Sequence, residues 1–304
     1  MDFLTNHIQD RFRGCLLGLA TGDALGTTVE FQRRGSFPAL TDIVGGGVFG
    51  LAPGQWTDDT SMALCLAASL VETGDFDMAD QMARYLRWYD HGYMSSTGKC
   101  FDIGNTTREA LERYRQSGKA ASGSSHPSTA GNGSLMRLAP VPMFYYPDRA
   151  RARVYAGKSS RTTHAAKLCM EACMLFADML VQALAGKDKD EILFGSSSLA
   201  EIKSAEILGI ANGSYKDKKT ENIRSNGYVV DSLEAALWSF WKTRSFEQAI
   251  LTAANLGEDA DTTAAICGQL AGAFYGERNI PRPWLEKLHM RKEISALADQ
   301  LANR

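Results

Sequence analysis

The tetrapeptide Thr57-Asp58-Asp59-Thr60 stands directly before an almost wholly apolar run, "SMALCLAASLV" at 61–71. Adjacent carboxylates repel, and burying either one uncompensated costs several kcal/mol. A second cluster (Glu258, Asp259, Asp261, Thr262 and Thr263) opens a second such run, "TTAAICGQLAGAFYG" at 262–276. Asp and Thr are good N-caps, and acids in a first turn are stabilised by the helix dipole. One side chain suffices for a cap, whereas each cluster has at least two acids plus hydroxyls. If the two helix starts meet, four or five carboxylates share a small volume, and that requires cations. The donors are all oxygen, with no His or Cys at either cluster, and such hard ligands select Mg²⁺, Mn²⁺ or Ca²⁺ over zinc. The number of acids suggests two ions sharing bridging carboxylates, about 3.5–4 Å apart. A di-iron bundle is the rival, but it needs a pair of inward-facing Glu-x-x-His motifs and the sequence has only one Glu-x-x-His, at 286–289.

The elements that must position these clusters are helical. Apolar residues recur with helical spacing over about 7–21, 59–73, 76–91, 105–117, 163–185, 199–210, 231–242, 245–256, 260–276 and 289–302. No sustained two-residue alternation marks a strand, and no Asn-Gly hairpin joins β-branched runs. The helices after the two acidic clusters are apolar almost all round, so both should be buried on every side and run through the centre. "GCLLGLATGDALG" places glycines at 14, 18, 22 and 26, a four-residue period that suits close helix packing, interrupted by Asp23. Glycine-rich loops separate the helices, without a linker or a repeat of fixed period. The expectation is one all-α domain over 1–304.

Composition excludes several classes. The 304 residues are 44% hydrophobic with a formal net charge of -2, so no field favours nucleic acid or an anionic membrane. The N-terminus "MDFLTNHIQDRFRG" does not read as a signal peptide, and no run of 18 apolar residues exists. The six cysteines form no CxxC pair and read as reduced core thiols of a cytoplasmic protein. Cys169 and Cys173 share a helix face, but no second pair lies nearby to complete a zinc site.

The blocks "RGCLLGLATGDALGTTVEF", "GQWTDDTSMAL", "FDIGNTTREAL", "GNGSLMRLAPVP", "TTH", "GYVVDSLEAALWSF" and "NLGEDADTTAAICGQLAGAFYG" occur in this order from about 11 to 287. Together they resemble the ADP-ribosylglycohydrolase family, most nearly its bacterial dinitrogenase-reductase-activating branch. The resemblance implies an all-α fold with a central dinuclear metal cleft holding two Mg²⁺ or Mn²⁺ ions, and cleavage of ADP-ribose from modified side chains. It implies Thr57, Asp58, Asp59, Asp259, Asp261 and Thr262 as metal ligands, with Glu30 at the metal site directly or through water. Asp102 falls in the loop over the ribose, and Asp102 and Glu30 are the unranked candidates for proton transfer. Gly104, Asn105 and Thr106 open a helix whose free N–H groups suit a phosphate. Gly131, Asn132, Gly133 and Ser134 form a second such loop, and His164 matches a histidine near the nucleotide. Glu258 departs from the pattern, since relatives often have glycine or aspartate there; it either narrows the cleft or points to solvent.

The chemistry these parts suit is hydrolysis through an oxocarbenium-like state. The leading expectation is an arginine-linked N-glycosyl substrate. Serine- or other O-linked ADP-ribose, two-metal phosphoester hydrolysis and non-catalytic ADP-ribose binding are the alternatives. The expected partner is an ADP-ribosylated protein or ADP-ribose, handled by a monomer.

Overall fold

A computed structural model describes residues 3–195 and 200–304. Fourteen α-helices are present among them. The first half of the chain contains α1 (Phe3–Gly26), α2 (Asp58–Thr73), α3 (Met78–His91), α4 (Asn105–Ser117), α5 (Pro140–Tyr145) and α6 (Arg149–Ser160). The second half contains α7 (Lys167–Leu184), α8 (Lys189–Phe194), α9 (Ala205–Ala211), α10 (Val229–Lys242), α11 (Phe246–Ala254), α12 (Ala260–Tyr275), α13 (Arg282–Lys287) and α14 (Arg291–Ala302). The described residues contain only isolated β-bridges and no strand pairing beyond them. No described helix is long and apolar enough to cross a membrane.

The four-residue glycine period has a direct structural reading. Gly14, Gly18, Gly22 and Gly26 face the backbone of Gly272, Gly268, Ala264 and Ala260 in turn, so α1 and α12 run antiparallel. A Cβ at any of the four would meet a carbonyl oxygen of α12, and Gly268 and Gly272 return the same contact to α1. Only glycine permits this approach, and a backbone neighbour cannot rotate aside. The pairing brings the start of α12 against the end of α1. There the chain makes one further turn, Thr27–Val29, and delivers Glu30.

Both helices read as apolar all round are central. In α2 every residue from Asp58 to Leu70 is buried, and in α12 every residue from Ala260 to Ala273. Helices α7, α10 and α11 cover α12, while α3 and α14 cover α2. All six cysteines are free thiols, Cys100 alone of them half-exposed.

Two helix expectations are corrected, and four helices are added. The segment expected helical over 163–185 begins only at Lys167, because residues 163–166 turn to bring His164 to the cleft. The helix expected over 199–210 begins at Ala205; residue 199 lies outside the described residues, and Lys203 and Ser204 donate backbone N–H groups to Glu171 (3.0 and 2.9 Å). Helices α5, α6, α8 and α13 were not expected. Three of them have only six residues each, and α6 ("RARARVYAGKSS") has no apolar stripe to announce it.

Candidate active site

The two acidic helix starts meet, and neither uses its acids as caps. Thr57 and Asp259 occupy the N-cap positions of α2 and α12, and neither side chain caps its helix. By contrast Asp77 caps α3 in the ordinary way, accepting from Ala79 and Asp80 (2.8 and 3.1 Å). The donors at the start of α2 are taken by Asp23 from α1. One Asp23 oxygen accepts from Thr57 N and Oγ1 (both 2.9 Å), the other from Thr60 N and Oγ1 (3.0 and 2.6 Å). This cap in trans leaves Asp58 and Asp59 free of any capping duty.

What remains is an excess of acceptors. Thr57 Oγ1 lies 2.9 Å from Asp23, 3.3 Å from Asp261 and 3.5 Å from Asp59, yet it has one proton to donate. Thr262 Oγ1 donates to Asp59 Oδ2 (3.3 Å). Asp59 Oδ1, Asp261 Oδ1 and Glu30 Oε2 are buried with no hydrogen-bond partner among the described residues. One oxygen each from Glu30, Asp102 and Asp261 lies within 4.8 Å of the other two, an arrangement that can hold a metal ion. Orphaned buried carboxylate oxygens demand a cation or a proton.

Electrostatics agree. Burial, reinforced by Asp102 and Asp259, pushes Glu30 up to about 9. Burial, with Asp23 and Asp259, pushes Asp102 up to about 8. Asp58, Asp59 and Asp261 are driven well above the usual carboxylate range, by burial first and by their acidic neighbours second. Asp259 is raised by burial too, opposed by the amide of Asn132, which donates to its Oδ2 (2.7 Å). Such a set is ionised together only around positive charge, and an all-oxygen donor set of this size fits a hard divalent cation.

The acids form one end of a cleft of about 630 Å³. Glu30, Asp58, Asp102, Asp259, Asp261 and Thr262 line it, while Thr57 and Asp59 sit fully buried behind them. Gly104, Asn105 and Thr106 line the wall where α4 opens, and no side chain caps that helix, so its first N–H groups face the cleft. Gly131, Asn132, Gly133 and His164 line the adjoining stretch, Gly133 lying beside Thr107 of α4. Ser134 does not: its hydroxyl is buried against Ser160 Oγ (2.8 Å) and Cys173 Sγ (3.5 Å).

Several contributors were not singled out from the sequence. Asn226 and Gly227 line the cleft, Gly227 being held by the hydrogen bond from Asn132 N to its carbonyl (3.1 Å). Arg137 is fully buried beneath the glycine loop, donating to Gly133 O (2.9 Å), Thr162 Oγ1 (3.1 Å) and Thr163 Oγ1 (2.7 Å). Thr163 Oγ1 in turn lies 2.8 Å from His164 Nδ1. Burial and the Arg137 charge depress His164 to about 3, so its ring is neutral at physiological pH. With Nδ1 turned to Thr163, Nε2 is the nitrogen nearest Gly131 and Gly133.

Comparison with known proteins places these features in a family. The family model described as ADP-ribosylglycohydrolase matches residues 4–304. The chain is 47% identical over 292 residues to "ADP-ribosylarginine hydrolase Tri1" of Serratia proteamaculans (strain 568), covering 96% of this chain and 79% of that protein. It is 33% identical to "ADP-ribosyl-[dinitrogen reductase] glycohydrolase" of Rhodospirillum rubrum, covering 97% and 96%. A solved structure titled "ADP-ribosylglycohydrolase-related protein complex" superposes with a TM-score of 0.85 at 42% identity, over 98% of this chain and 99% of that one.

Proposed function

The chain belongs to the ADP-ribosylglycohydrolase family, and on that premise we propose that it hydrolyses the N-glycosidic bond between ADP-ribose and arginine side chains. The observation that carries the reading is the cleft itself, with orphaned carboxylates at one end and glycine loops along its walls. The name of the relative at 47% identity supports arginine as the acceptor.

Two Mg²⁺ or Mn²⁺ ions would be held by Asp58, Asp59, Asp259 and Asp261 with Thr57, Thr262 and Glu30, and when bound they would supply charge neutralisation and an acidified water. The remaining work falls to the chain. The ribose C1–N bond breaks with its electron pair passing to nitrogen as a water oxygen bonds to C1, and the neutral guanidine so formed takes up the proton lost by the water to leave as guanidinium. Asp102 and Glu30, both lining the cleft beside the ribose end, are assigned to accept the water's proton and pass it to the leaving nitrogen. The free N–H groups at the start of α4 and the backbone of Gly131 and Gly133 suit the pyrophosphate. His164 Nε2 offers a neutral contact to the nucleotide.

The test compares two peptides differing only in linkage, in the presence of Mg²⁺. The arginine-linked peptide should be cleaved with the higher kcat/KM. A tenfold preference for the serine-linked peptide, about 1.4 kcal/mol at the transition state, would reverse the assignment.

A further inference from the structure

The mouth of the cleft carries a pair of side chains that the reaction described above does not use. Phe31 follows Glu30 in sequence, Glu258 precedes Asp259, and both line the cleft. Both have left-handed backbone (φ 62° and 57°), an unfavourable conformation for any residue but glycine and a rare one for a bulky aromatic. Reciprocal hydrogen bonds hold the two segments in it: Phe31 N donates to Glu258 O, and Glu258 N to Gln32 O, each 2.7 Å. Strain of this kind persists where surrounding structure enforces it, and it concentrates at ligand clamps.

The brace presents two unfilled faces. Phe31 is 66% exposed, although its edge is steadied by Phe49 (6.5 Å, edge-on), which packs on Phe101 (5.2 Å) beside Asp102. The Glu258 carboxylate is exposed and has no hydrogen bond or ion pair among the described residues. The nearby cation, Arg34, acts on Glu258 only through space, its N–H groups going to the carbonyls of Leu256, Thr220 and Ile223. An exposed aromatic face and an exposed carboxylate, carried on a braced backbone next in sequence to Glu30 and Asp259, match a flat cation.

We propose that Phe31 and Glu258 form the subsite for the departing guanidinium, the ring stacking on its plane and the carboxylate pairing with its N–H groups. This subsite rests on the arginine-linked reading above. A guanidinium stacks on aromatic rings and pairs with carboxylates in a planar fork, neither of which a serine oxygen can do.

The experiment uses Phe31→Leu, Glu258→Gln and Phe31→Tyr in the full chain with Mg²⁺. It measures kcat/KM on the arginine-linked peptide and inhibition by two product probes, ADP-ribose and agmatine. Phe31→Leu and Glu258→Gln should lower kcat/KM roughly three- to tenfold and weaken agmatine by a similar factor, with ADP-ribose inhibition unchanged. Phe31→Tyr, which keeps the ring, should lose less kcat/KM and less agmatine affinity than Phe31→Leu. Equal weakening of ADP-ribose and agmatine would show that the pair shapes the cleft as a whole and overturn the subsite. Unchanged kcat/KM in Phe31→Leu and Glu258→Gln would overturn it as well. If the parent protein fails to cleave the arginine-linked peptide, the functional reading itself falls and the subsite with it.

Discussion

Asp23 and Asp58 lie in the same crowd of carboxylates, yet their surroundings give them opposite effects on stability. Asp23 accepts four hydrogen bonds from Thr57 and Thr60, so truncating it leaves two N–H groups and the Thr60 hydroxyl unsatisfied at the buried start of α2, while the Thr57 hydroxyl can turn to Asp261. Asp58 accepts no hydrogen bond among the described residues and faces the cleft, so its removal orphans nothing and relieves repulsion. In chelator, Asp23→Ala should therefore lose about 2–3 kcal/mol of folding stability. Asp58→Ala should hold its stability or gain. Urea unfolding with and without Mg²⁺ reads both effects, and the gain in stability on adding Mg²⁺ should shrink in Asp58→Ala. Equal losses for the two variants in chelator would contradict this division. The sequence announced Asp58 and not Asp23 for a physical reason. A double acid before an apolar helix is anomalous within four residues, whereas the partners of Asp23 lie 34 and 37 residues away.

At the scale of elements, the glycine period of α1 fixes how far apart the acids stand. Gly22 meets the Ala264 backbone one residue before Asp23, so any spreading of α1 from α12 there also moves Asp23 from Asp261. Gly22→Ala should cost about 1–3 kcal/mol or more by overpacking and should lower activity beyond the loss of folded protein. Gly157→Ala in α6 is the control, because its added methyl meets only the flexible Met174 side chain at 3.4 Å. That change should be neutral or stabilising by up to about 1 kcal/mol, the ordinary helix preference for alanine. Thermal melts of the two variants side by side decide it; a Gly22→Ala protein as stable as the parent would deny the close approach its role. The period was legible in "GCLLGLATGDALG", but its partner was not, since the matching small residues of α12 lie some 240 residues on and only tertiary pairing joins them. The helices whose apolar stripe is long were legible for the same reason that the six-residue helices and α6 were not.

For the whole molecule, a net charge of -2 conceals a concentrated charge at the centre. The acids come from α2, α12, the turn after α1 and the loop before α4, so their protonation or neutralisation is felt by most of the fold. Glu30 has an ordinary value of 4.5 and is raised to about 9; Asp102 has an ordinary value of 3.8 and is raised to about 8. Between those values the folded protein binds more protons than the unfolded chain, so the stability of the metal-free protein falls as pH rises. The contribution is fully present below about pH 4 and is lost by about pH 9, once each group has passed its folded value. A divalent cation binds the deprotonated carboxylates, so its competition with protons eases over the same range. Calorimetric melts in chelator should therefore give a lower Tm at pH 9 than at pH 5.5. Excess Mg²⁺ or Mn²⁺ should raise Tm at both, and by more at pH 9, with about 2.7 kcal/mol expected at a hundredfold excess over Kd. A chelated protein that gains stability toward pH 9, or one whose Tm ignores both ions, would mean that these carboxylates are paired by something other than protons and metal.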